Sequence, residues 1–266
     1  MSAEIIIIND AAQPQVAAGC RALQYGDGVF TTIAVKAGKP ELWSLHLARL
    51  QLAVARLGIT PPDWQALAAK VQQLATAHQA PSVIKLLLSR GIGGRGYAPE
   101  ACDGPLVYLY TAAMPDYRRW RTAGIRVGIA KLQLAIQPAL AGLKHTNRLE
   151  QVLLKQELAQ RDLDDLLVAD QQQQLTEATA ANLFYQLEGA WFTPPLHLAG
   201  VAGVMRQHIL LSQPHIQERA LPLAEIEQVQ AAFLSNALLG MAPVRELNGR
   251  VLAIDSVQQL QQEILC

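Results

Sequence analysis

One lysine, Lys144, could supply an amine for covalent chemistry. It lies in the segment 142–147, GLKHTN, after a glycine and directly before a helical pattern. A lysine amine loses its charge readily when it is desolvated, and the neutral amine can form a Schiff base with a carbonyl compound. Most lysines of the chain must nevertheless be solvated surface charges. The segment alone therefore leaves a catalytic amine and a surface lysine as open alternatives, and the same holds for His145 as a base.

A lone carboxylate, Glu177, opens a run of small residues that leads into the apolar pattern 182–187. A carboxylate that faces a pyridine nitrogen keeps this nitrogen protonated, and the protonated ring is the better electron sink. The alternative is a glutamate at a strand end that faces water.

Two glycine-rich segments could bind anions. The segment 200–206, GVAGVMR, precedes a helical pattern, where unpaired backbone N–H groups and the helix dipole attract a phosphate. It matches neither the Walker nor the Rossmann fingerprint. The segment 90–97, RGIGGRGY, could present Arg95 to a small carboxylate through two parallel hydrogen bonds, or form a tight turn with surface arginines.

Two adjacent threonines, Thr31 and Thr32, end the segment 25–32, YGDGVFTT. Strand side chains alternate, so the two hydroxyls must point to opposite faces, and one can face a cavity while the other packs. Their β-branched side chains also have an ordinary explanation in strand propensity.

Taken together, these segments resemble the fold-type IV pyridoxal-phosphate enzymes, which include branched-chain and D-amino-acid aminotransferases and aminodeoxychorismate lyases. The resemblance covers nearly the whole chain, in the family's order and spacing: 25–30, 46–50, the Lys144 segment, 177–184, 193–194 and 201–206. The segments 89–97 and 142–152 are most similar to the lyase branch. Thr31 stands where the aminotransferases more often have an acidic residue, and Leu149 where the branched-chain enzymes have a tyrosine.

The resemblance implies an α+β fold of two α/β domains, with pyridoxal phosphate in the cleft between them and two chains paired as a homodimer. Lys144 would form the Schiff base with this cofactor, and Glu177 would face its pyridine nitrogen. The groups expected around the phosphate are those of Arg49, Val204, Met205, Asn236 and Ala237. Ala237 lacks the hydroxyl that a threonine offers in the aminotransferases.

The resemblance further implies a reaction on 4-amino-4-deoxychorismate, which loses pyruvate and becomes 4-aminobenzoate for folate biosynthesis. Thr32 would relay or orient a proton near the departing enolpyruvate. Arg95, Asn236 and Phe30 would bind substrate. The alternatives are a D-amino-acid or branched-chain aminotransferase, and a protein that binds the cofactor without catalysis.

Composition limits the partners. The chain has 266 residues and 28.9 kDa, 22 basic against 22 acidic residues, a pI near 7.0 and 51% hydrophobic residues. The charge balance disfavours nucleic acid and anionic membranes, and the hydrophobic content disfavours disorder. Three widely separated cysteines form no CxxC pair, so neither a disulfide framework nor a metal site is expected. No signal-peptide pattern and no apolar run of about 20 residues is found, which predicts a cytoplasmic protein.

Short β-rich runs alternate with longer amphipathic runs. The predicted strands are 4–8, 30–35, 83–89, 106–111, 125–130, 166–169, 182–187, 232–235 and 243–247. The predicted helices are 44–57, 63–78, 147–161, 204–212 and 223–229. We expect Leu45, Leu52 and Leu57 to supply much of the apolar stripe of the first helix, and Leu149, Val152 and Leu153 that of the third.

A proline and a local rise in charge predict a linker at 114–119, which divides the chain into an N-terminal α/β domain, 1–115, and a C-terminal cofactor-binding α/β domain, 116–266. The glutamines 171–174 lie between two strand-like segments and are expected to be a solvated hairpin connection.

Overall fold

The computed structural model describes residues 4–7, 15–78 and 80–265, so Ile8 of the predicted first strand and Cys266 lie outside the described residues. The helices are α1 (Arg21–Tyr25), α2 (Trp43–Arg56), α3 (Trp64–Ala77), α4 (Arg118–Ala123), α5 (Leu149–Leu158), α6 (Val204–Ser212) and α7 (Asp255–Leu265), with a 3₁₀ helix at Leu223–Gln228. The strands are β1 (Glu4–Ile7), β2 (Gly28–Lys36), β3 (Lys39–Pro40), β4 (Ser82–Ser89), β5 (Leu106–Ala113), β6 (Ile125–Ile129), β7 (Asp165–Ala169), β8 (Gln174–Ala178), β9 (Asn182–Leu187), β10 (Ala190–Thr193), β11 (Gln217–Glu218), β12 (Leu221–Pro222), β13 (Ala231–Asn236), β14 (Gly240–Leu247) and β15 (Arg250–Val251). The prediction of an α+β chain is confirmed.

Contacts between Cα atoms divide the chain into two compact units. The first contains Met1–Pro115 and Lys144–Asn147, and the second contains Asp116–Leu143 and Arg148–Cys266. The domains expected from the sequence, 1–115 and 116–266, stay a prediction as folding units. The contact division differs from them in one respect, because the four residues around the candidate lysine group with the first unit.

The first unit is built on a five-stranded sheet in the order β1-β5-β4-β2-β3. β2 and β4 pair antiparallel from Gly28 opposite Ser89 to Val35 opposite Ser82. Alternate side chains of β2 point to opposite faces. One face carries Val29, Thr31 and Ile33, which are buried, and α2 packs against this strand. Phe30 and Thr32 lie on the other face and are half-buried.

The buried stripe of α2 differs from the predicted one. His46, Leu50, Ala53 and Val54 are buried, whereas Leu52 is exposed and Leu45 and Leu57 are only half-buried. The buried positions are spaced by four, three and one residues, which keeps them on one face at 3.6 residues per turn. The expectation went wrong because it took the leucines as the core face and overlooked a buried histidine.

The second unit is a ten-stranded sheet whose central strands close on themselves. Strands β9, β13, β14, β6, β7 and β8 are hydrogen-bonded in this order, and β8 pairs again with β9. The closing pair is Glu177 opposite Asn182. Closure lets one face of each strand contribute to a common core, which includes Val127, Leu167 and Leu234. The ring that the pairing forms therefore fixes the position of the candidate carboxylate on β8.

Helix α5 does not bury the stripe predicted for it. Leu149, Val152 and Leu153 are exposed, with Leu149 at 77%, and Leu154 is the residue that reaches the core. The three leucine and valine positions do share one helix face, but no described part of the chain covers that face.

The remaining differences concern short or polar segments. Arg118 and Arg119 begin α4 instead of continuing the linker, and the sequence did not predict α1, α7, β8 or β10. Residues 171–173 form the hairpin connection as predicted, whereas Gln174 already begins β8. Asp170 Oδ1 accepts hydrogen bonds from the backbone N–H groups of Gln172 and Gln174. Within the described residues, no helix combines the length and apolar character needed to cross a membrane.

The burial pattern of α2 predicts unequal effects of two similar substitutions. Leu50→Ala, at 1% exposure, should lower the free energy of unfolding by about 2–5 kcal/mol, because it leaves a cavity against β2. Leu52→Ala, at 57% exposure, should change it by less than about 0.5 kcal/mol. Urea denaturation of both variants measures this, and equal losses would contradict the observed helix face.

Candidate active site

The segment that carries Lys144 is held on β2 as a short added strand. The Phe30 backbone N–H donates to the Lys144 carbonyl at 2.9 Å, and the Thr146 N–H donates to the Gly28 carbonyl at 3.0 Å. His145 and Val29 form an antiparallel bridge between these bonds. This register sets Lys144 opposite Phe30, so both side chains share a face, and the lysine Nζ lies 4.7 Å from the centre of the Phe30 ring.

The glycine after Tyr25 makes this attachment possible. Gly26 has a φ of 66°, and a Cβ atom there would lie 2.2 Å from the Asn147 Oδ1. The Gly26 carbonyl accepts hydrogen bonds from the Thr146 hydroxyl at 2.5 Å and from the Asn147 Nδ2 at 3.0 Å. A side chain at this position would strain the backbone and displace the Asn147 side chain, which donates one of these hydrogen bonds.

The face that holds Lys144 and Phe30 also carries Thr32, two residues along β2. Directly opposite Thr32 in the register is Lys85 of β4. The Lys85 Nζ lies 5.2 Å from the Phe30 ring centre and 5.7 Å from that of Tyr110. The sequence analysis missed Lys85, although a lone lysine inside the apolar strand VIKLLLS is a signal that strand alternation could have exposed.

Thr31, on the opposite face of β2, connects two side chains of α2. Its hydroxyl lies 2.6 Å from the His46 Nδ1, and the Arg49 guanidinium donates a hydrogen bond to the same oxygen. The Thr31 oxygen thus accepts from Arg49 and shares a second hydrogen bond with His46 Nδ1, whose direction depends on the tautomer of the imidazole. Burial, assisted by the charge of Arg49, lowers the pKa of His46 to about 3. One of the two threonines thus packs and the other does not, as the alternation predicted.

In the second unit, Glu177 lies on β8 and is 5% exposed. The Val201 backbone N–H donates to its Oε2 at 2.9 Å, which fixes the orientation of the carboxylate. Arg148 lies near enough for the charge of Glu177 to act on it. Burial lowers the pKa of the Arg148 guanidinium, and the negative charge of Glu177 opposes this shift.

The start of α6 leaves its first N–H groups without a side-chain cap. Gly203 is the N-cap residue, and within the described residues no side chain caps the helix there. A Cβ at Gly203 would lie 2.0 Å from the Asn182 Oδ1. Val204 and Met205 are the first two residues of the helix, so their backbone N–H groups belong to the unpaired set that attracts an anion.

Asn236 and Ala237 lie at the end of β13. The Asn236 Oδ1 accepts hydrogen bonds from the backbone N–H groups of Leu238 and Leu239, and its Nδ2 donates to the Ala180 carbonyl. Because an amide oxygen has two lone pairs, only one N–H of this side chain remains for a substrate or a phosphate. Ala237 offers its backbone alone, since its side chain has no hydroxyl.

The structure thus gathers the expected residues in two groups, one within each unit. Lys144, Phe30 and Thr32 share one sheet face of the first unit, with Arg49 behind it on α2 and Arg95 in an exposed loop. The second unit carries the groups expected around the pyridine nitrogen and the phosphate: Glu177, Val204, Met205, Asn236 and Ala237. These roles stay predictions.

The comparisons with known proteins agree on one family. The family described as Amino-transferase class IV matches residues 28–247. An aminodeoxychorismate lyase of Vibrio harveyi is 38% identical over 253 residues, which cover 93% of this chain and 93% of that protein. A crystal structure of 4-amino-4-deoxychorismate lyase from Pseudomonas aeruginosa has a TM-score of 0.89 and 37% identity and covers 94% of each chain. A putative branched-chain-amino-acid aminotransferase of Methanocaldococcus jannaschii is 25% identical, over 91% of this chain and 86% of that protein.

The burial of His46 predicts an acid-sensitive fold. Its pKa of about 3 is below the value of about 6.5 for an exposed imidazole, so between these pH values the unfolded chain binds a proton that the folded chain does not. The free energy of unfolding should therefore fall as the pH falls from about 6.5 towards about 3. His46→Gln should flatten this dependence between about pH 4.5 and about pH 7 in urea titrations. His197→Gln, at an exposed histidine, is the matched control and should keep the dependence of the unmodified protein.

Proposed function

We propose that this chain, which belongs to the amino-transferase class IV family, is a pyridoxal-phosphate-dependent lyase that converts 4-amino-4-deoxychorismate into 4-aminobenzoate and pyruvate. The resemblance to fold-type IV enzymes is confirmed, and the lyase relatives are more similar to this chain than the aminotransferase relative. The structural observation that carries the proposal is the position of Lys144, whose amine lies beside the Phe30 ring on the face that also presents Thr32 and Lys85.

The residues present fit pyridoxal phosphate. Lys144 supplies the amine that an aldehyde requires, and Glu177 is a buried carboxylate, the type of group that can face a protonated pyridine. The uncapped start of α6 suits a phosphate, and the family resemblance assigns Arg49 to the same phosphate. When bound, the cofactor supplies an electron sink for the carbon that bears the substrate amine. Glu177 stabilises the protonated ring because its charge is already oriented by the Val201 N–H.

Lys144 and Thr32 divide the proton transfers. The Lys144 amine removes the proton from the carbon that bears the substrate amine, and the bond from the ring to the ether oxygen then breaks with its electron pair on oxygen. The released enolpyruvate takes up a proton and becomes pyruvate, while the ring becomes aromatic. Thr32 positions a proton near that oxygen. The gain of aromaticity drives the reaction forward.

A substrate with two carboxylates needs positive charge at the site. Arg95, whose side chain is exposed, supplies a planar group that can bind a carboxylate with two hydrogen bonds. Lys85 supplies a second charge on the face of Thr32, and Asn236 retains one N–H donor. The Phe30 ring gives a flat surface for the cyclic diene.

An aminotransferase of the same family is the alternative. It would use the same lysine, but the proton would return to the cofactor and no pyruvate would be eliminated. Thr31 disfavours it, because its hydroxyl is already used by His46 and Arg49 where aminotransferases more often have an acidic group. Leu149 also disfavours it, since this exposed side chain replaces the tyrosine of the branched-chain enzymes.

The setting of the reaction follows from the same proposal. 4-Aminobenzoate is the expected precursor for folate biosynthesis. Cys20 and Cys102 are free, which is typical of a reducing compartment such as the cytoplasm. Leu149, Val152 and Leu153 form an exposed apolar face of α5. This face is suited to pack against a second copy of the chain in a homodimer.

Replacement of the candidate lysine tests the proposal directly. The unmodified protein, reconstituted with pyridoxal phosphate, should form 4-aminobenzoate and pyruvate in equal amounts from freshly prepared aminodeoxychorismate. Lys144→Ala should lose this activity and the visible absorbance of the bound cofactor, because no amine remains to attach it. Lys39→Ala, at an exposed lysine of β3, should keep both. An unchanged cofactor band in Lys144→Ala would contradict the assignment.

Replacement of Thr32 should slow the reaction without releasing the cofactor. Thr32→Val keeps the β-branched shape but removes the hydroxyl, so kcat for pyruvate release should fall by about 10²-fold or more while the cofactor stays bound. Thr122→Val, at an exposed threonine of α4, is the control. Full lyase turnover in Thr32→Val would refute the role. Sustained conversion of the cofactor by D-alanine or a branched-chain amino acid in the unmodified protein would favour the aminotransferase instead.

A further inference from the structure

Arg21 of α1 is a buried arginine that the reaction leaves unexplained. Its side chain is 3% exposed, and its guanidinium donates hydrogen bonds to a single stretch of backbone. Nη1 reaches the carbonyls of Gly93 at 3.4 Å, Gly96 at 3.4 Å and Ala98 at 3.1 Å, and Nη2 reaches that of Tyr97 at 3.0 Å. The Arg21 backbone N–H also donates to the Gly91 carbonyl at 3.0 Å.

This stretch, residues 91–98, is called the glycine loop below. Its four glycines have φ values between 63° and 123°, a region that other residues rarely adopt. The loop therefore curls with its carbonyls turned towards one point, and Arg21 occupies this point. The side chains of Arg95 and Tyr97 take no part in these hydrogen bonds and are exposed. A Cβ at Gly94 would lie 2.4 Å from the Ala98 carbonyl and 2.9 Å from the Arg21 Nη1.

The charge of Arg21 is balanced on its other side. Its Nε donates to the Asp27 Oδ2 at 2.8 Å, and Arg90 donates to both oxygens of the same carboxylate at 2.7 and 3.1 Å. Burial acts to raise the pKa of Asp27, but the hydrogen bonds from Arg90 and Arg21 outweigh it and hold this pKa below its usual range. Asp27 thus stays ionised and fixes the plane of the Arg21 guanidinium, while the Tyr25 ring lies 5.0 Å from its central carbon.

Arg90 shares the carboxylate but not the loop. Its remaining donors go to the carbonyls of Leu57 and Gly58, at 2.8 Å each, just after α2. The two arginines therefore differ in what they hold, although both pair with Asp27. This difference separates a general contribution to stability from a contribution to the shape of the glycine loop.

We propose that Arg21 is a positioning residue of the substrate site: it fixes the glycine loop so that Arg95 is presented to a carboxylate of the substrate. The inference rests on the proposed function, in which Arg95 binds that carboxylate. Arg21 itself does not touch the substrate. Five donors in one plane suit this task, because a lysine could keep the ion pair with Asp27 but could not hold several carbonyls at fixed angles.

The closing experiment uses Arg21→Lys in the cofactor-loaded enzyme. KM for aminodeoxychorismate should rise about tenfold, whereas kcat and the affinity for pyridoxal phosphate should change by less than about threefold. In an Arg95→Ala background the same substitution should add little further increase in KM, because its effect passes through Arg95. Arg90→Lys is the matched control and should leave KM unchanged.

Amide hydrogen exchange of the glycine loop supplies a readout that needs no substrate. Exchange at residues 93–98 should be faster in Arg21→Lys than in Arg90→Lys. Faster exchange in Arg21→Lys, together with no lyase activity in the unmodified enzyme, would show that the proposed function is wrong although Arg21 does hold the glycine loop. Unchanged exchange, independent effects of Arg21→Lys and Arg95→Ala on KM, or a parallel loss of kcat and cofactor affinity would overturn the inference. If Arg21→Lys does not fold, Gly94→Ala decides, since it disturbs the same contact from the loop side and should raise KM in the same way.

Discussion

The antiparallel pairing of residues 144–146 with the start of β2 is the constraint on which the candidate site depends. Two backbone hydrogen bonds, from Phe30 to Lys144 and from Thr146 to Gly28, set the register of this pairing. A shift by one residue would turn Lys144 to the opposite face of the sheet, away from Phe30 and Thr32. The backbone hydrogen bonds therefore decide on which face of the sheet the Lys144 side chain lies, and its amine has only a short distance to reach from the backbone.

Buried polar groups behind the sheet support this face without taking part in it. Thr31 satisfies both a guanidinium and an imidazole, so the side of β2 that faces α2 is polar at one point within an apolar core. Asp27 plays a similar part at the start of the strand, where it balances two arginines. Such networks are costly when one member is lost, since the partner is then left buried without a hydrogen bond. Both networks lie next to Phe30 in the sequence, and they hold β2 to α2 and to Arg90 while Phe30 and Thr32 remain half-buried on the other face.

Much of the fold could be predicted from the sequence where its periodic signal was strong. The bounds of α6 and β9 match the prediction, and the strands around Phe30 and Leu86 differ from it by a few residues at most. The polar strand β8 was missed because QLTEA has no apolar alternation, yet closure of the ring in the second unit decides its conformation. Lys144 and Glu177 stood out because their residue types imply chemistry. Arg21 did not, because its partners are carbonyls 72 to 77 residues away, and backbone acceptors leave no mark on a sequence.

The strand that receives the lysine segment is also an edge. β3 pairs only with Val35 and Lys36, and within the described residues the first half of β2 has no other neighbour on this side than residues 144–146. A nascent chain that has emerged only as far as Pro115 contains the whole five-stranded sheet but leaves these backbone groups unpaired. Unpaired strand edges invite pairing with other chains. Residues 144–146 therefore cover the part of this strand edge that β3 leaves open, and the same pairing positions the Lys144 amine.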